Sequence, residues 1–153
     1  MRQRNGQPEQ LTTREEKPVV NQTIDIPGHT AFVLPDRDAL VSAAAVLQQC
    51  EEAVTGCASA VFDEPEPIEL LSEVCRDMDC ADVLAVTRRV LTRRSDPDPE
   101  LLRAQLAACL VALRLSHELC SSHAEDYPQA RTCSNATVRG IETCRRLLGE
   151  LSS

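Results

Sequence analysis

The segment CLVALRLSHELCSSHAEDYPQARTCSNATVRGIETC, Cys109 to Cys144, carries four of the chain's eight cysteines, and its spacing decides the fold. Cys109 and Cys120 stand eleven residues apart, as do Cys133 and Cys144. At about 100° per residue, eleven steps of an α-helix return almost to the starting face, so each pair looks along one seam. Between them HAEDYPQ, residues 123–129, interrupts the apolar pattern, and Pro128 suits the first turn of a new helix. Helices joined by so short a connection are antiparallel neighbours, and residues at one height then share an index sum. Cys109 with Cys144 and Cys120 with Cys133 have equal index sums. The thiols therefore face each other at two heights, about 16 Å apart along the axis.

Upstream the same reasoning gives two more helices. After Pro35, Asp36 is an N-cap candidate, and Leu40, Ala43, Val46, Leu47, Cys50, Val54, Cys57 and Val61 recur at spacings of three and four. DEPEPIE, 63–69, stops this helix, with Pro67 placed for the start of the next. Ile68, Leu71, Cys75, Met78, Leu84, Val90 and Leu91 suggest its apolar face, running to roughly Arg94. SDPDPE, 95–100, repeats the device with Asp98 as cap and Pro99 first, ahead of Leu102, Leu106, Cys109, Leu113 and Cys120. The fourth helix is expected from about Pro128 to Leu148. The expectation is an all-α protein: an antiparallel up-down-up-down four-helix bundle over 36–153, preceded by an extended or disordered tail over 1–35. That tail is polar, charged and broken by Pro8, Pro18, Pro27 and Pro35, with TAFVL at 30–34 able to lie on the folded body.

Composition agrees and excludes other classes. Aromatics make up 2% of the chain and Trp is absent, which argues against an aromatic sandwich core. A net charge of -8 repels a phosphate backbone, so nucleic acid is not an expected partner. The N-terminal MRQRNGQPEQLTTREEKPVV lacks the apolar run of a secretory signal, and stretches such as AACLVALRL are too short to span a membrane. A soluble, cytoplasmic protein is expected. Eight cysteines in a reducing compartment point to metal binding or redox chemistry before structural disulfides.

The first hairpin repeats the cysteine arrangement, since Cys50 with Cys80 and Cys57 with Cys75 have nearly equal index sums. Up-down-up-down order puts both hairpin turns at one end of the bundle. One layer would then hold Cys57, Cys75, Cys120 and Cys133, and a deeper one Cys50, Cys80, Cys109 and Cys144. Cys75 strains this scheme, because it lies five residues from Cys80, about 140° around a helix.

At Cys80-Ala81-Asp82-Val83, and in the cysteine spacing of helices three and four, the sequence resembles the cytosolic copper storage proteins, Cys-rich four-helix bundles that bind Cu(I) with inward thiolates. The likeness covers roughly residues 40–148. The family's alternating three- and four-residue frame picks out Leu106, Cys109, Leu113, Ser116 and Cys120, then Ala130, Cys133, Thr137, Gly140 and Cys144. Its Cys-x-x-His matches Cys120 and His123, whereas the frame position near Cys75 falls on Glu73. About half the frame carries Leu, Ala, Ser, Thr or Gly, so the resemblance implies a member of reduced capacity. It implies Cu(I) as cargo, with Zn(II) a further soft-site possibility. The implied ligands are Cys50, Cys57, Cys80, Cys109, Cys120, Cys133 and Cys144, with Cys75 and His123 as additional candidates.

Two other readings stay open. Trimmed ligation could leave an open position for a copper-dependent enzyme, though no catalytic residue is evident. Alternatively, Cys109 with Cys144 and Cys120 with Cys133 could staple a helical scaffold that holds no metal. His123 could instead end helix three, and His117 could face solvent. Metal ions are the expected partners, with homo-oligomerisation open.

Overall fold

The computed structural model describes residues 34–64, 70–93 and 97–152. These form α1 (Arg37–Ala60), a 3-10 turn (Val61–Asp63), α2 (Leu71–Arg93), α3 (Pro99–Ser122) and α4 (Pro128–Glu150). The chain is all-α in these residues, as its spacing predicts. The expected tail up to residue 33, the helix start at Pro67 and the end at Arg94 lie outside the described residues.

The helix starts follow from their caps. Asp36 Oδ1 accepts from the Ala39 amide at 2.7 Å and Asp98 Oδ1 from the Leu101 amide at 2.8 Å, satisfying donors that the first turn leaves open. Tyr127 precedes α4 without a side-chain capping bond. There the turn is tied instead by the Asp126 and Tyr127 amides donating to the His123 carbonyl, and by Arg131 Nε donating to the Ala124 carbonyl at 3.0 Å.

Packing joins α1 to α2, α2 to α3, α3 to α4, and α4 back to α1. The α2–α3 and α3–α4 pairs run antiparallel, as cross-helix contacts show. Cys109 meets Cys144 and Cys120 meets Cys133 between α3 and α4. Thr87 meets Gln105 and Asp77 meets Ser116 between α2 and α3. No helix among the described residues is long and apolar enough to cross a membrane.

The end of the bundle away from the α3–α4 turn is closed by leucines: Leu40, Leu91, Leu102, Leu106, Leu147 and Leu151 are all buried. Cysteines take over toward the turn. Between the two cysteine heights the helices come close at Gly140, where an added Cβ would lie 2.9 Å from Cys50 Sγ and 3.0 Å from both δ-carbons of Leu113. Gly140→Val is therefore expected to destabilise the fold by about 1–3 kcal/mol through overpacking. Urea unfolding measures this, with Gly56→Ala as control, because a Cβ at Gly56 meets nothing within 4 Å. Equal midpoints for Gly140→Val and the parent would refute the close approach.

The apolar face expected for the first half of α2 is corrected by the structure. Leu71, Cys75 and Met78 are exposed, and the buried stripe is Val74, Asp77, Cys80, Ala81, Leu84, Thr87 and Leu91. A carboxylate at one inward position hides this stripe from a pattern of hydrophobicity. Asp77 is 2% exposed, and the Ser116 hydroxyl, which donates to Oδ1 at 2.7 Å, offsets part of the cost of its burial.

Candidate metal centre

Two groups of sulfur atoms occupy the half of the bundle nearer the α3–α4 turn. The deeper is a quartet, Cys50, Cys80, Cys109 and Cys144, one from each helix, all buried and all free thiols. Cys144 Sγ donates to Cys109 Sγ at 3.7 Å, and Cys50 Sγ donates to the Ala136 carbonyl at 3.0 Å. The charge of Cys109 acts on Cys50 and Cys80, and Cys144 is acted on by the other three. Four thiols from four helices thus share one buried neighbourhood.

Burial decides their protonation. It pushes the Cys50 thiol up to about 11, helped by the Cys109 charge. It pushes Cys80 up to about 12, with the charges of Cys109 and Asp77 adding to it. Cys109 and Cys144 behave as a pair: the bond from Cys144 holds Cys109 below the ordinary thiol range, and the same bond, with burial, drives Cys144 far upward. The shared bond thus favours one thiolate over two within this pair. Empty, the group avoids carrying several buried negative charges by staying mostly protonated.

The second group lies at the rim, where Cys57, Asp77, Cys120 and Cys133 hold their ligand atoms within 4.8 Å of one another. Cys57 Sγ is 3.7 Å from Cys120 Sγ, and Ser116 Oγ is 3.8 Å from Cys133 Sγ. Cys120 and Cys133 are joined as a disulfide, with their Cα atoms 6.0 Å apart. Burial, then the charge and hydrogen bond of Asp77, pushes Cys57 up to about 12. Asp77 is itself raised, burial outweighing the hydrogen bonds from Ser116 and Cys57. A cavity of about 310 Å³ opens from this group to the surface, with Glu73 and His123 at its edge.

The layers expected from the index sums therefore form, with one exchange of member. Cys75 is exposed and joins neither group. Its 140° offset from Cys80 turns it outward, and Asp77, three residues before Cys80, takes the inward position. Asp77 escaped the sequence reading because carboxylates are rarely buried. The usable signal was its three-residue step from Cys80. Of the two staples considered, Cys120–Cys133 is present, whereas Cys109 and Cys144 are unbonded thiols. His123 ends α3 as its C-cap, with Nε2 3.6 Å from Glu73 Oε2, outside the rim group. His117 does not simply face solvent: it is half-buried, with Nδ1 3.1 Å from Thr137 Oγ1.

Exposure of Cys75 predicts its chemistry. In the folded, reduced protein it is expected to react with a maleimide well before the seven other thiols. Peptide mapping after brief labelling checks this, and early modification of Cys109 or Cys144 would contradict the buried quartet.

The sequence profile of the copper storage protein family matches residues 36–149. A structure of a cytosolic copper storage protein from Streptomyces lividans during loading, with five coppers, is 33% identical, with a TM-score of 0.70 over 74% of this chain and 95% of that one. The Streptomyces lividans protein loaded with 10 copper equivalents is 32% identical, with a TM-score of 0.72 over 83% of this chain and 95% of that one. A histidine-to-alanine variant of it is 34% identical, with a TM-score of 0.71 over 76% and 97%. No curated protein gives a significant sequence match.

Proposed function

Because the chain belongs to the copper storage protein family, we propose that it stores copper as Cu(I) on Cys50, Cys80, Cys109 and Cys144, with Cys57, Cys120 and Cys133 as further donors once that quartet is filled. One observation carries the reading: four buried free thiols, one from each helix, converge away from solvent. Thiolates are soft donors that select Cu(I), and a cation relieves the cost of charging several of them in a core.

Capacity is lower than in a bundle with sulfur throughout. Leu106, Leu113, Ser116, Ala130, Thr137 and Gly140 occupy inward positions without offering thiolate. Leu113 and Gly140 close against each other beside Cys50, leaving no column of sulfur from rim to base. The protein acts in the cytosol, as its Streptomyces counterpart is described. Copper enters at the rim, where the cavity reaches Cys57 and Cys120.

Anaerobic titration of the reduced chain with Cu(I), in competition with a strong Cu(I) chelator, tests the proposal. More than two Cu(I) per chain should be retained. Failure of the fully reduced, folded protein to hold any would overturn it. Cys75→Ser should retain as much copper as the parent, since that thiol lies on the outer face.

A further inference from the structure

We propose that the rim of the copper-free, reduced chain is a second metal site of a different kind: a tetrahedral Zn(II) site made by Cys57, Cys120, Cys133 and the carboxylate of Asp77. It goes beyond copper storage in the ion and in the carboxylate donor, since Asp77 belongs to no thiol pattern, and it uses in the copper-free chain three cysteines that the copper reading fills only after the quartet.

The donor set is the first ground. The quartet below offers sulfur alone, whereas the rim replaces its fourth sulfur with a carboxylate oxygen. Zn(II) accepts thiolate and carboxylate together in four-coordinate sites, while Cu(I) favours the soft donors.

Geometry is the second. Zn–S bonds near 2.3 Å in a tetrahedron set sulfur atoms about 3.8 Å apart. Cys57 and Cys120 already stand at 3.7 Å, and all four ligand atoms lie within 4.8 Å of one another. The donors come from all four helices, so little rearrangement beyond opening the Cys120–Cys133 bond is needed.

The third ground is the support behind Asp77. Carboxylates that bind metals are held by a further hydrogen bond, and Ser116 Oγ supplies one to Oδ1 at 2.7 Å from within the core. Both residues are buried, at 2% and 0% exposure. A buried carboxylate beside three thiols is costly without a cation. An ion of charge two, reached through the rim cavity, removes that cost.

The chain must be reduced for the site to form, since the disulfide withdraws Cys120 and Cys133 as thiolate donors. The test uses the full chain, freshly reduced, anaerobic and copper-free, titrated with zinc chloride against a chromophoric zinc chelator. Co(II) serves as a spectroscopic stand-in.

The expected result is one tightly held Zn(II) per chain and a Co(II) spectrum with tetrahedral d–d bands and thiolate charge transfer. Asp77→Asn, which keeps the shape of the side chain, and Cys57→Ser should each weaken Zn(II) by at least about tenfold. Cys109→Ser with Cys144→Ser should leave Zn(II) binding unchanged while impairing Cu(I), which separates failure of this site from failure of the copper reading. The chain oxidised at Cys120–Cys133 should hold no zinc there. Circular dichroism verifies that each variant is folded, and Asp77→Ala serves if Asp77→Asn is not. Three outcomes would overturn the site: no Zn(II) taken up by the reduced parent, equal affinity in folded Asp77 variants, or loss of Zn(II) on changing Cys109 and Cys144 alone.

Discussion

Changing Cys109 and Cys144 together to serine is expected to remove tight Cu(I) binding from the bundle while leaving four helices in place. Both residues are fully buried, and their sulfurs meet at 3.7 Å across the α3–α4 seam. The bond between them lowers Cys109 and raises Cys144, so the pair can present a thiolate to an arriving ion while keeping one proton. Serine keeps the size and the hydrogen bond but offers a hard oxygen, which Cu(I) does not select. Loss of a mere supporting partner costs a metal site about 10–100-fold in affinity, so loss of two ligands should exceed about a thousandfold. Chelator competition reads this directly, and circular dichroism confirms the fold. Wild-type copper retention by the double variant would show that copper sits elsewhere.

Copper loading is expected to release protons and to weaken steeply as pH falls. Cys50 lies at about 11 and Cys80 at about 12, and Cys144 is raised as well, chiefly by its bond to Cys109 and then by burial. At neutral pH these thiols are protonated, and each must give up its proton to bind. Every proton so released changes apparent affinity about tenfold per pH unit, so these three make the quartet's dependence at least about a thousandfold per unit. Acid should therefore unload the protein well above the pH at which carboxylates titrate. A pH-stat measurement during anaerobic loading counts the protons, and a count near zero would contradict the buried protonated quartet.

The copper-free fold should respond at the opposite end of the scale. In the folded chain Cys50, Cys57 and Cys80 hold protons that the unfolded chain gives up above the ordinary thiol value of 9.0. Their contribution to stability is complete below that value and is lost as pH rises toward about 11–12. Copper-loaded protein, whose thiols are already deprotonated, should not show this alkaline loss.

Much of the fold was legible because its signals are local. Asp36 and Asp98 mark helix starts by the chemistry of capping, and both do cap in the structure. The eleven-residue spacing of Cys109/Cys120 and Cys133/Cys144 needs only helix geometry to place each pair on one face. Antiparallel packing then brings 109 to 144 and 120 to 133. The first half of α2 was misread for an equally physical reason. There Leu71, Cys75 and Met78 make an apolar stripe that faces outward, while the inward stripe contains Asp77. Hydrophobicity cannot rank those faces, because the partner that makes Asp77 tolerable inside, Ser116, is 39 residues away.

By itself, then, the sequence determined four helices, two of them capped by Asp36 and Asp98, their antiparallel order and the facing of cysteines within each hairpin, all consequences of capping chemistry, helical pitch and short connections. Only the tertiary structure decided which of the two stripes of α2 points inward, and with it that Asp77 rather than Cys75 completes the rim. It also decided that Gly140 leaves room for both Cys50 and Leu113 against α4, and that sulfur ends where leucine closes the bundle. These depend on atoms brought together from distant positions, where packing and the cost of burying charge act on several helices at once.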